Sequence, residues 1–494
     1  MFSTREVYLN YFRMADHNYA ILLAGGQGSR FWPQSRTLEP KQFLSLHQKT
    51  SLFDQTIIRI KPLIPPKNII IATSELYRHQ VQEIAAKFNI PSANLIFEPD
   101  GRNTAPSIAL AVQLIACKDK HARICVLPCD HLIKNPGCFR QLLEKGLAIC
   151  DDHLIIFGIP PHRPATGYGY IKAAILRGQS PNRLPTKNEL RGLSPKEQVY
   201  LVAKFCEKPD LKTAAKLLKA GNYFWNSGIF VGSCDIFLKD FRIYLPKLHN
   251  MVVRLKCAAD IVKIWNKIQP ISFDYGILEK SNNLRMLIAS GLGWSDLGSW
   301  QAWDEILEKD KEGNVFKADV INLRSKNITV LGNNRLIATI GLDDLIIVDT
   351  PDALLITKKG SSEEVKRIVD TLKTNKRQEH YSHKTVKRPW GSYTILETGE
   401  GFKVKLVEVK PKHSLSLQLH KKRSEHWVVV EGIANIVRGK KTEVYNANES
   451  TYIPINCIHR LTNPTTQSLK IIEVQAGKYL EEDDIVRLKD DFGR

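Results

Sequence analysis

Short apolar runs alternate with stretches of helical periodicity from Tyr19 to about Trp300. The apolar runs are Ala20–Ala24, Asn68–Ala72, Asn94–Phe97, Arg123–Leu127 and Leu154–Gly158. The helical candidates between them are Ser51–Ile60, Ser74–Phe88 and Ala105–Cys117. This alternation predicts a Rossmann-like α/β domain with a mixed, mostly parallel sheet. Because ligands of such sheets bind beyond the carboxyl ends of the strands, the residues that follow each run are candidates for a site.

The rest of the chain is predicted to be rich in β-structure. Five short runs indicate a small β-domain: Asp319–Leu323, Ile328–Leu331, Leu336–Ile340, Asp344–Val348 and Ala353–Ile356. A helix near Ser362–Lys373 follows, and then a polar segment. Beyond Arg388 only strands are predicted: Ser392–Leu396, Phe402–Val409, Leu415–His420, His426–Val430, Ala434–Arg438, Ser450–Ile453 and Lys470–Gln475. Regular short strands of this kind predict a barrel or sandwich.

These patterns divide the chain into five parts. We predict an extension (1–16), the α/β domain (17–305), a β-rich connecting domain with a helix (306–374), a linker (375–387) and an all-β domain (388–494). The stretch Gly178–Glu197, rich in Pro, Asn, Ser, Lys and Arg, is predicted to be an exposed loop. The 494 residues are enough to bury a large core without disulfides.

Composition indicates an intracellular globular protein. The chain is 43% hydrophobic and 25% charged, which is ordinary for a globular domain. No apolar run reaches the roughly 18–20 residues of a membrane helix, and the first residues do not resemble a signal peptide. The nine cysteines form no C-x-x-C pair. We therefore expect free thiols in a reducing cytoplasm and no membrane association.

The net charge of +20 indicates polyanionic partners without naming them. A basic surface suits nucleic acid or small phosphorylated substrates. The sequence contains no zinc finger, no RNP-type aromatic strand and no KH-type loop. Nucleic acid is therefore not expected as a partner, although a basic nucleic-acid-binding protein remains the alternative from another functional class.

Three glycines follow the first predicted strand within four positions, at Gly25, Gly26 and Gly28. Glycines let the backbone approach a ligand closely, and the exposed N–H groups of such a loop hold phosphate oxygens. Arg30 and Lys41 supply positive charge nearby. The Rossmann fingerprint fails because its third position is Phe31, and the G-K-S/T of a P-loop is absent.

This segment, from Leu23 through Arg36 and continuing at Pro40–Phe43, resembles the leading motif of the mannose-1-phosphate guanylyltransferases. Further segments resemble that family in order: Glu98–Pro106, Leu127–His131, Gly167–Ile171, Glu207–Pro209, Trp225–Gly228 and Trp294–Trp300. The resemblance implies a nucleotide-diphospho-sugar transferase fold, with GTP and mannose 1-phosphate as substrates and GDP-mannose and pyrophosphate as products.

The resemblance also implies roles for single residues. The nucleotide would contact Leu23, Ala24, Gly25, Gly26, Gly28, Glu98 and Asn103, and the sugar phosphate would contact Gly167, Glu207 and Asn226. The catalytic set would be Arg30, Lys41, Lys208, Asp130 and Asp296. Because both reactants are anionic, the protein has to neutralise charge, and two carboxylates suit Mg²⁺. The family usually has Glu where Ala165 stands, which bears on the choice of sugar.

The C-terminal part carries a second set of ligand-type side chains. Gln418 and His420 share one face of a predicted strand, because the period of a strand is two. With Glu425 and His459 they would bind Zn²⁺ or Co²⁺; a polar barrel interior is the alternative. The region from Arg388 resembles the type II phosphomannose isomerases, which are cupin barrels. That resemblance implies binding of mannose 6-phosphate, a catalytic role for Arg460, and a bifunctional enzyme.

Departures from the isomerase pattern leave alternatives open. Lys421 and Lys422 stand where the family tends to have His, and Lys412 and Asn456 stand where it tends to have Gly. A monofunctional guanylyltransferase with an inactive cupin, or a transferase for another hexose 1-phosphate, therefore remains an alternative. Assembly into a homo-oligomer is also left open.

Overall fold

The computed structural model describes residues 16–45, 50–174, 199–255, 257 and 260–491. Most of the predicted extension and the whole predicted loop Gly178–Glu197 therefore lie outside the described residues. The chain divides into two compact units. The first runs to Gly332 and adds Leu336–Val348 and Leu355–Thr374; the second contains Asn333–Arg335, Asp349–Leu354 and the chain from Asn375.

The first unit is built on a nine-stranded sheet. The nine strands are β1 Asn18–Leu23, β2 Ile69–Ser74, β3 Leu95–Glu98, β4 Arg123–Pro128, β6 Leu154–Ile159, β7 Tyr170–Ala174, β8 Val199–Cys206, β9 Tyr223–Ser233 and β10 Leu284–Ile288. Two further short strands, β5 Leu132–Ile133 and β11 Trp294–Ser295, form a separate pair. The sheet order is β3-β2-β1-β4-β9-β6-β10-β8-β7. β8 and β9 run against the other strands, which confirms the mixed, mostly parallel sheet.

Helices cover both faces of this sheet. They are α1 Leu52–Ile60, α2 Arg78–Lys87, α3 Thr104–Ala116, α4 Pro136–Ala148, α5 Leu211–Ala220, α6 Cys234–Tyr244, α7 Pro246–Val252, α8 Ile261–Trp265 and α9 Trp300–Asp304. Alternate residues of β1 enter two different cores: Tyr19 and Ile21 pack in one, and Ala20 and Leu22 in the other. A strand buried on both faces has to be apolar throughout, which is why the strands appear as continuous apolar runs.

The connecting region forms a four-stranded sheet followed by a helix. Its elements are β12 Val315–Leu323, β13 Thr329–Ile340, β14 Leu345–Asp349, β15 Leu354–Lys358 and α10 Val365–Thr374. β12, β13 and β14 pair in parallel. The two runs predicted at 328–331 and 336–340 are one strand, β13, because a register shift absorbs the residues between them. Ile328, Val330 and Ile347 form its small core.

The C-terminal region folds as two facing sheets. Its strands are β16 Thr385–Arg388, β17 Gly391–Gly399, β18 Phe402–Val409, β19 Leu417–His420, β20 Arg423–Glu431, β21 Ile433–Arg438, β22 Lys441–Asn446, β23 Ser450–Ile453, β24 His459–Thr462, β25 Leu469–Gly477 and β26 Ile485–Lys489. The sheet orders are β16-β17-β18-β25-β20-β23 and β22-β21-β24-β19-β26. Trp390, Val409 and Trp427 lie in the core between them. The predicted linker (375–387) is not wholly irregular: its last residues belong to β16, which pairs antiparallel with β17.

Two further expectations bear on the environment of the chain. All nine cysteines are free thiols, as the absence of paired spacings predicted. Within the described residues, no helix combines the length and the apolar character that crossing a membrane requires.

Candidate active sites

The glycine loop leaves the end of β1 with its backbone open to one side. A Cβ built on Gly25 or Gly26 would meet nothing within 4 Å, and both residues are exposed. Gly28 differs, because its φ is +58° and a Cβ there would lie 2.5 Å from Cβ of Lys41. Ala24 anchors the loop, since its carbonyl accepts hydrogen bonds from Gln42 and Thr73. The first two glycines therefore leave room for a ligand, and the third lets Lys41 approach.

Lys41 is buried and contacts both candidate metal ligands, Asp130 through its carboxylate and Asp296 through its backbone. Its Nζ lies 2.7 Å from Oδ2 of Asp130 and donates to the backbone carbonyls of Asp296, at 2.6 Å, and Leu297, at 3.2 Å. Arg30, the other predicted phosphate ligand, is 37% exposed at its side chain and forms an ion pair with Glu363 at 3.2 Å. The predicted contacts of both cations with phosphate stay predictions.

A short strand pair sets the positions of the two aspartates. Asp130 lies between the end of β4 and β5, and Asp296 follows β11 directly. β5 and β11 pair antiparallel, with Ser295 opposite Leu132. Burial opposes the ionisation of Asp130, but the charges of Lys41 and His131 outweigh it, so the pKa of Asp130 lies below its ordinary value. An ionised carboxylate with a second one close by is a donor set that fits a hard cation such as Mg²⁺.

Tyr168 connects this centre to the predicted sugar side. Its hydroxyl donates to Oδ1 of Asp296 at 2.6 Å, and the N–H of Gly298 donates to the same oxygen at 3.0 Å. The ring packs against Trp225, 4.9 Å away between centroids, and Trp294, 5.6 Å away. Burial and the Asp296 carboxylate raise the pKa of Tyr168, so the phenol stays protonated and remains a donor.

Three segments that are distant in sequence meet around β7. Tyr170 pairs with Cys206 of β8 and with Trp225 of β9, which brings the residues next to each of them together. The backbone N–H of Asn226 donates to the carbonyl of Gly169 at 2.7 Å. A Cβ on Gly169 would lie 2.4 Å from Oε2 of Glu207 and 2.9 Å from the ring of Phe205, so a larger residue at this position would have to displace the Glu207 carboxylate. Gly167 has open space around it.

The charges of the predicted sugar side form one group. Lys208 lies 2.9 Å from Glu207, and this contact raises the pKa of Lys208 against the opposing effect of burial. Asn226 donates to Oδ1 of Asp274 at 2.8 Å. Burial, and then the neighbouring Glu207, raise the pKa of Asp274 to about 6. Lys208 has a φ of 45°, a strained conformation of the kind that clusters at functional sites.

The second segment predicted to bind the nucleotide, Glu98–Pro106, lies between the end of β3 and the start of α3. Glu98 ends β3 and is only 5% exposed. Burial raises the pKa of Glu98 to about 7, against a smaller lowering by its hydrogen bond with Ser107. Asn103 is exposed and caps α3, accepting from the N–H of Thr104 at 2.9 Å. Within the described residues no polar contact links either side chain to the Lys41 centre, so their predicted role in nucleotide binding stays a prediction.

Three further residues of this site make contacts that no sequence pattern indicated. Ala165 is buried, and its backbone N–H and carbonyl both bond the hydroxyl of Tyr170, so its methyl group packs in the core. Tyr168 lay inside a recognised motif, but nothing in the sequence pairs it with Asp296. Asp274 follows no predicted strand, and its contact with Asn226 has no signal in the sequence.

In the C-terminal unit, three of the four predicted metal ligands form a buried cluster. The ligand atoms of His420, Glu425 and His459 all lie within 4.8 Å of one another. His420 Nε2 is 3.0 Å from Glu425 Oε1, and His459 Nε2 is 3.8 Å from Oε2. Nδ1 of His459 lies 2.9 Å from the carbonyl of Cys457. That contact fixes the ring and leaves Nε2 facing the cluster.

The cluster has the properties of a metal site. Nδ1 of buried His420 has no hydrogen-bond partner in the described part of the chain, and its Nε2 faces Glu425, so this donor set fits a divalent cation. Burial opposes the ionisation of Glu425, but His420, His459 and Arg423 outweigh it and hold its pKa well below the ordinary value. Gln418 is adjacent, with its Nε2 3.5 Å from His459 Nε2. Its Oε1 accepts from Ser416, so ligation through oxygen requires the amide to turn over.

Arg460 lies on the opposite face of β24 from His459, because side chains alternate along a strand. Its guanidinium donates to the carbonyl of Leu415 and to Asp491. The structure therefore places Arg460 outside the three-residue cluster. A small cavity of about 50 Å³ adjoins the cluster and is lined by other charges, including Lys405, Glu473 and Glu482.

The departures from the isomerase pattern fall outside the cluster. Lys421 and Lys422 are exposed, and their backbone N–H groups both donate to Asp484. Lys412 and Asn456 each have a φ of 62°, the left-handed conformation expected at positions that favour glycine. The candidate metal ligands His420, Glu425 and His459 are therefore unaffected, and the backbone strain at Lys412 and Asn456 lies in loops.

Comparison with known proteins identifies the families to which the three regions of the chain are similar. Sequence models of three families match: nucleotidyl transferase at 19–313, MannoseP isomerase/GMP-like beta-helix domain at 318–372, and mannose-6-phosphate isomerase C-terminal at 375–490. A solved structure described as a mannose-1-phosphate geranyltransferase from Thermus thermophilus is 29% identical, with a TM-score of 0.63, and covers 72% of this chain and 99% of its own.

Two curated relatives match over nearly their whole length. A mannose-1-phosphate guanylyltransferase from Salmonella montevideo is 38% identical over 482 residues, which is 96% of this chain and 99% of the relative. The alginate biosynthesis protein AlgA from Pseudomonas aeruginosa is 38% identical over 483 residues, or 96% and 97%. Identity at this level over both units shows that the chain belongs to the mannose-1-phosphate guanylyltransferase family whose members carry a mannose-6-phosphate isomerase domain at the C-terminus.

Proposed function

We propose that the protein transfers GMP from GTP to mannose 1-phosphate, releasing pyrophosphate and forming GDP-mannose. One observation carries this proposal: Lys41 and Tyr168 tie Asp130 and Asp296 into one centre between the open glycine loop and the group Glu207–Lys208–Asn226. This arrangement supports a site in which a phosphate-binding loop, a pair of carboxylates and the Glu207–Lys208 ion pair contact the two substrates. The family relationship supports the choice of substrates.

The chain's own residues account for most of the chemistry. A phosphate oxygen of the sugar attacks the α-phosphorus of GTP, so both anions have to be held in line and partly neutralised. The N–H groups of Gly25 and Gly26 would bind the nucleotide phosphates, and Lys208 would bind the sugar phosphate. Glu207, held by Lys208, would accept hydrogen bonds from sugar hydroxyls. When bound, Mg²⁺ on Asp130 and Asp296 would supply further positive charge to the triphosphate.

We further propose that the C-terminal unit interconverts mannose 6-phosphate and fructose 6-phosphate. A Zn²⁺ or Co²⁺ ion held by His420, Glu425, His459 and Gln418 would polarise the sugar oxygens. The buried cations around the cluster, Arg423 and Lys405, would stabilise the negative charge of the opened sugar. Arg460 would have to leave Asp491 to take the role that the family resemblance implies.

A pyrophosphate-release panel tests the transferase. GTP, UTP, ATP and dTTP are each paired with mannose 1-phosphate and glucose 1-phosphate in the presence of Mg²⁺. GTP with mannose 1-phosphate is expected to give the highest kcat/KM. A higher value for any other pair would contradict the proposal and favour a transferase for another hexose or nucleotide.

The isomerase is tested separately, so that the monofunctional alternative can be recognised. Metal-depleted protein is incubated with mannose 6-phosphate and one of Zn²⁺, Co²⁺ or Mg²⁺, and fructose 6-phosphate is measured. Turnover that depends on added metal is expected in the wild type and is expected to be lost in His420→Ala. No turnover with any metal would mean that the cupin unit is not an isomerase.

A further inference from the structure

A cavity of about 1130 Å³ lies in the first unit, and its lining includes none of the candidate catalytic residues. One wall is α1, a second is the segment from Leu132 to Arg140, and the third is the segment from Ile306 to Lys317 that leads into β12. Small-molecule pockets usually measure roughly 300–1,000 Å³, so this space accommodates a ligand as large as a nucleotide.

The cavity wall carries cations that no carboxylate neutralises. Arg59, Arg140 and Lys317 all line it, and none forms an ion pair with any residue in the described part of the chain. Arg59 is 4% exposed; its contacts are the carbonyl of His131, at 3.5 Å, and the ring of Phe139. Burial lowers the pKa of Arg59 to about 10. A buried guanidinium without a counter-charge is costly, and a bound anion would relieve that cost.

The acidic residues of the lining offset only part of this charge, because four cationic side chains, Arg59, Lys134, Arg140 and Lys317, line the cavity. Only Glu308 and Asp310 contribute carboxylates among the residues that line the cavity. Oδ1 of Asp310 already accepts the backbone N–H groups of Glu312, at 2.9 Å, and Asn314, at 2.8 Å. The carboxylate of Asp310 therefore stabilises the turn formed by residues 310–314.

Apolar surface lies beside the cations. Ile58 is 49% exposed and Phe316 is 37% exposed, and both line the same cavity. We infer that this cavity is a second ligand site, which binds an organic phosphate carrying an aromatic group, namely a nucleoside phosphate. The cations would hold the phosphate, and Ile58 and Phe316 would cover the base.

The position of the cavity couples it to the carboxylate pair. Leu132 and Ile133 line it and form β5, the strand that pairs with β11. Asp130 precedes β5 and Asp296 follows β11, so an occupant rests against the strand pair that positions both carboxylates. Occupancy is therefore expected to change the turnover number of the transferase as well as to produce binding heat.

Calorimetric titration of the full-length protein tests the site without relying on any activity. Uridine 5′-monophosphate is the probe, with uridine and inorganic phosphate as the separate halves of the ligand. Saturable binding of the monophosphate is expected in wild type, with at least tenfold weaker binding in the double variant Arg140→Glu, Lys317→Glu. Lys247→Glu, an exposed lysine on α7 that does not line the cavity, is the matched control and is expected to bind as wild type.

Several outcomes would overturn the inference. These are the absence of saturable binding, equal binding by the double variant with unchanged thermal unfolding, or binding of inorganic phosphate as tight as that of the monophosphate. A kinetic arm then measures transfer at saturating GTP and mannose 1-phosphate. A change in kcat caused by the monophosphate in wild type but not in the double variant is expected. Failure of the proposed transferase function would leave the calorimetric result standing, so the two failures are distinguishable.

Discussion

Glu98 in the first unit and Glu425 in the second are both buried, yet their charges are treated in opposite ways. Glu98 has Ser107 as its hydrogen-bond partner, and burial raises its pKa to about 7. Glu425 is 1% exposed and is surrounded by His420, His459 and Arg423, which hold its pKa well below the ordinary value. The first carboxyl is protonated over part of the physiological range, and the second stays ionised.

The difference reflects where each site keeps its positive charge. In the transferase site the cations Arg30 and Lys208 are partly exposed, with side chains 37% and 53% accessible, and they face the solvent from which anionic substrates arrive. In the cupin site the cationic groups are packed around one buried carboxylate, an arrangement that fits a metal site. In the transferase site each partly exposed cation pairs with its own carboxylate, whereas in the cupin site His420, His459 and Arg423 all face the single buried carboxylate of Glu425.

Replacing Glu425 by Gln is expected to have the largest effect. The substitution leaves Arg423 and the two histidines without their counter-charge, which should cost about 3–5 kcal/mol of unfolding free energy in metal-free protein. Denaturant unfolding followed by tryptophan fluorescence measures it, and metal analysis should show loss of the bound ion. Glu400→Gln, at an exposed position, is the control. An equal loss in both variants would contradict the buried cluster.

Asp130→Asn is expected to separate the two sites. Losing this charge removes the partner of Lys41 and one cation ligand, so GDP-mannose formation should fall by roughly 10²–10³-fold. Fructose 6-phosphate formation by the same preparation should not change. Parallel loss of both activities would show that the substitution damages the whole protein, and the assignment of Asp130 would fail.

The pH dependence of stability is expected to distinguish the two glutamates. Because the folded pKa of Glu98 is raised to about 7 from 4.5, folded protein binds more protons than unfolded protein between these values. Stability from this group is therefore complete below pH 4.5 and is lost as pH rises through 7, by about 3 kcal/mol. Glu98→Gln should remove that loss, so the difference between wild type and variant should change with pH. A constant difference would contradict the raised pKa.

Tyr168→Phe is expected to weaken the transferase without abolishing it. The phenol donates to a carboxylate, and a hydrogen bond to a charged group contributes about 1.5–3 kcal/mol. We therefore expect kcat to fall by roughly 10- to 150-fold, with little change in the KM for GTP, because Tyr168 acts through Asp296. Tyr244→Phe is the control, because the hydroxyl of Tyr244 has no hydrogen-bond partner among the described residues. Loss confined to KM would place Tyr168 in ground-state binding only.

Lys412→Gly is expected to have the smallest effect, and in the opposite direction. Lys412 holds a φ of 62°, a conformation that costs a non-glycine residue roughly 1–2 kcal/mol. Part of the gain is offset by loss of its Nζ hydrogen bond to Pro464 and by the greater freedom of glycine in the unfolded chain. A net stabilisation of about 0.5–1 kcal/mol is expected from denaturant unfolding of the cupin unit. Destabilisation would mean that the hydrogen bond outweighs the strain.

The sequence predicted the elements of both sites because their signals are local. Continuous apolar runs identified β1, β2, β3, β4 and β6 to within about two residues, since these strands are buried on both faces. The strand period placed Gln418 and His420 on one face. Where a strand was missed the prediction suffered: β24 was not identified, so the alternation that separates Arg460 from His459 was not applied.

Contacts between distant segments had no such signal. Asp130 and Asp296 were named as a pair from a resemblance, but no pattern indicated that Lys41 would lie between them or that Tyr168 would bind Asp296. These contacts depend on the pairing of β5 with β11 and of β7 with β8 and β9. Short strands of two residues leave no hydrophobic period to read.

The sequence by itself therefore determined the order of domains, the glycine loop, the side-chain types of the candidate metal ligands and the family, because each depends on residues close together along the chain. The tertiary structure alone decided which charges neutralise each other. It placed Lys41 between the carboxylate of Asp130 and the backbone carbonyl of Asp296, paired Arg460 with Asp491, and left Arg59 beside a cavity without an ion-pair partner among the described residues. The physical reason is that a pKa, an ion pair or an orphan charge depends on distance and burial, and both are set only when remote segments pack.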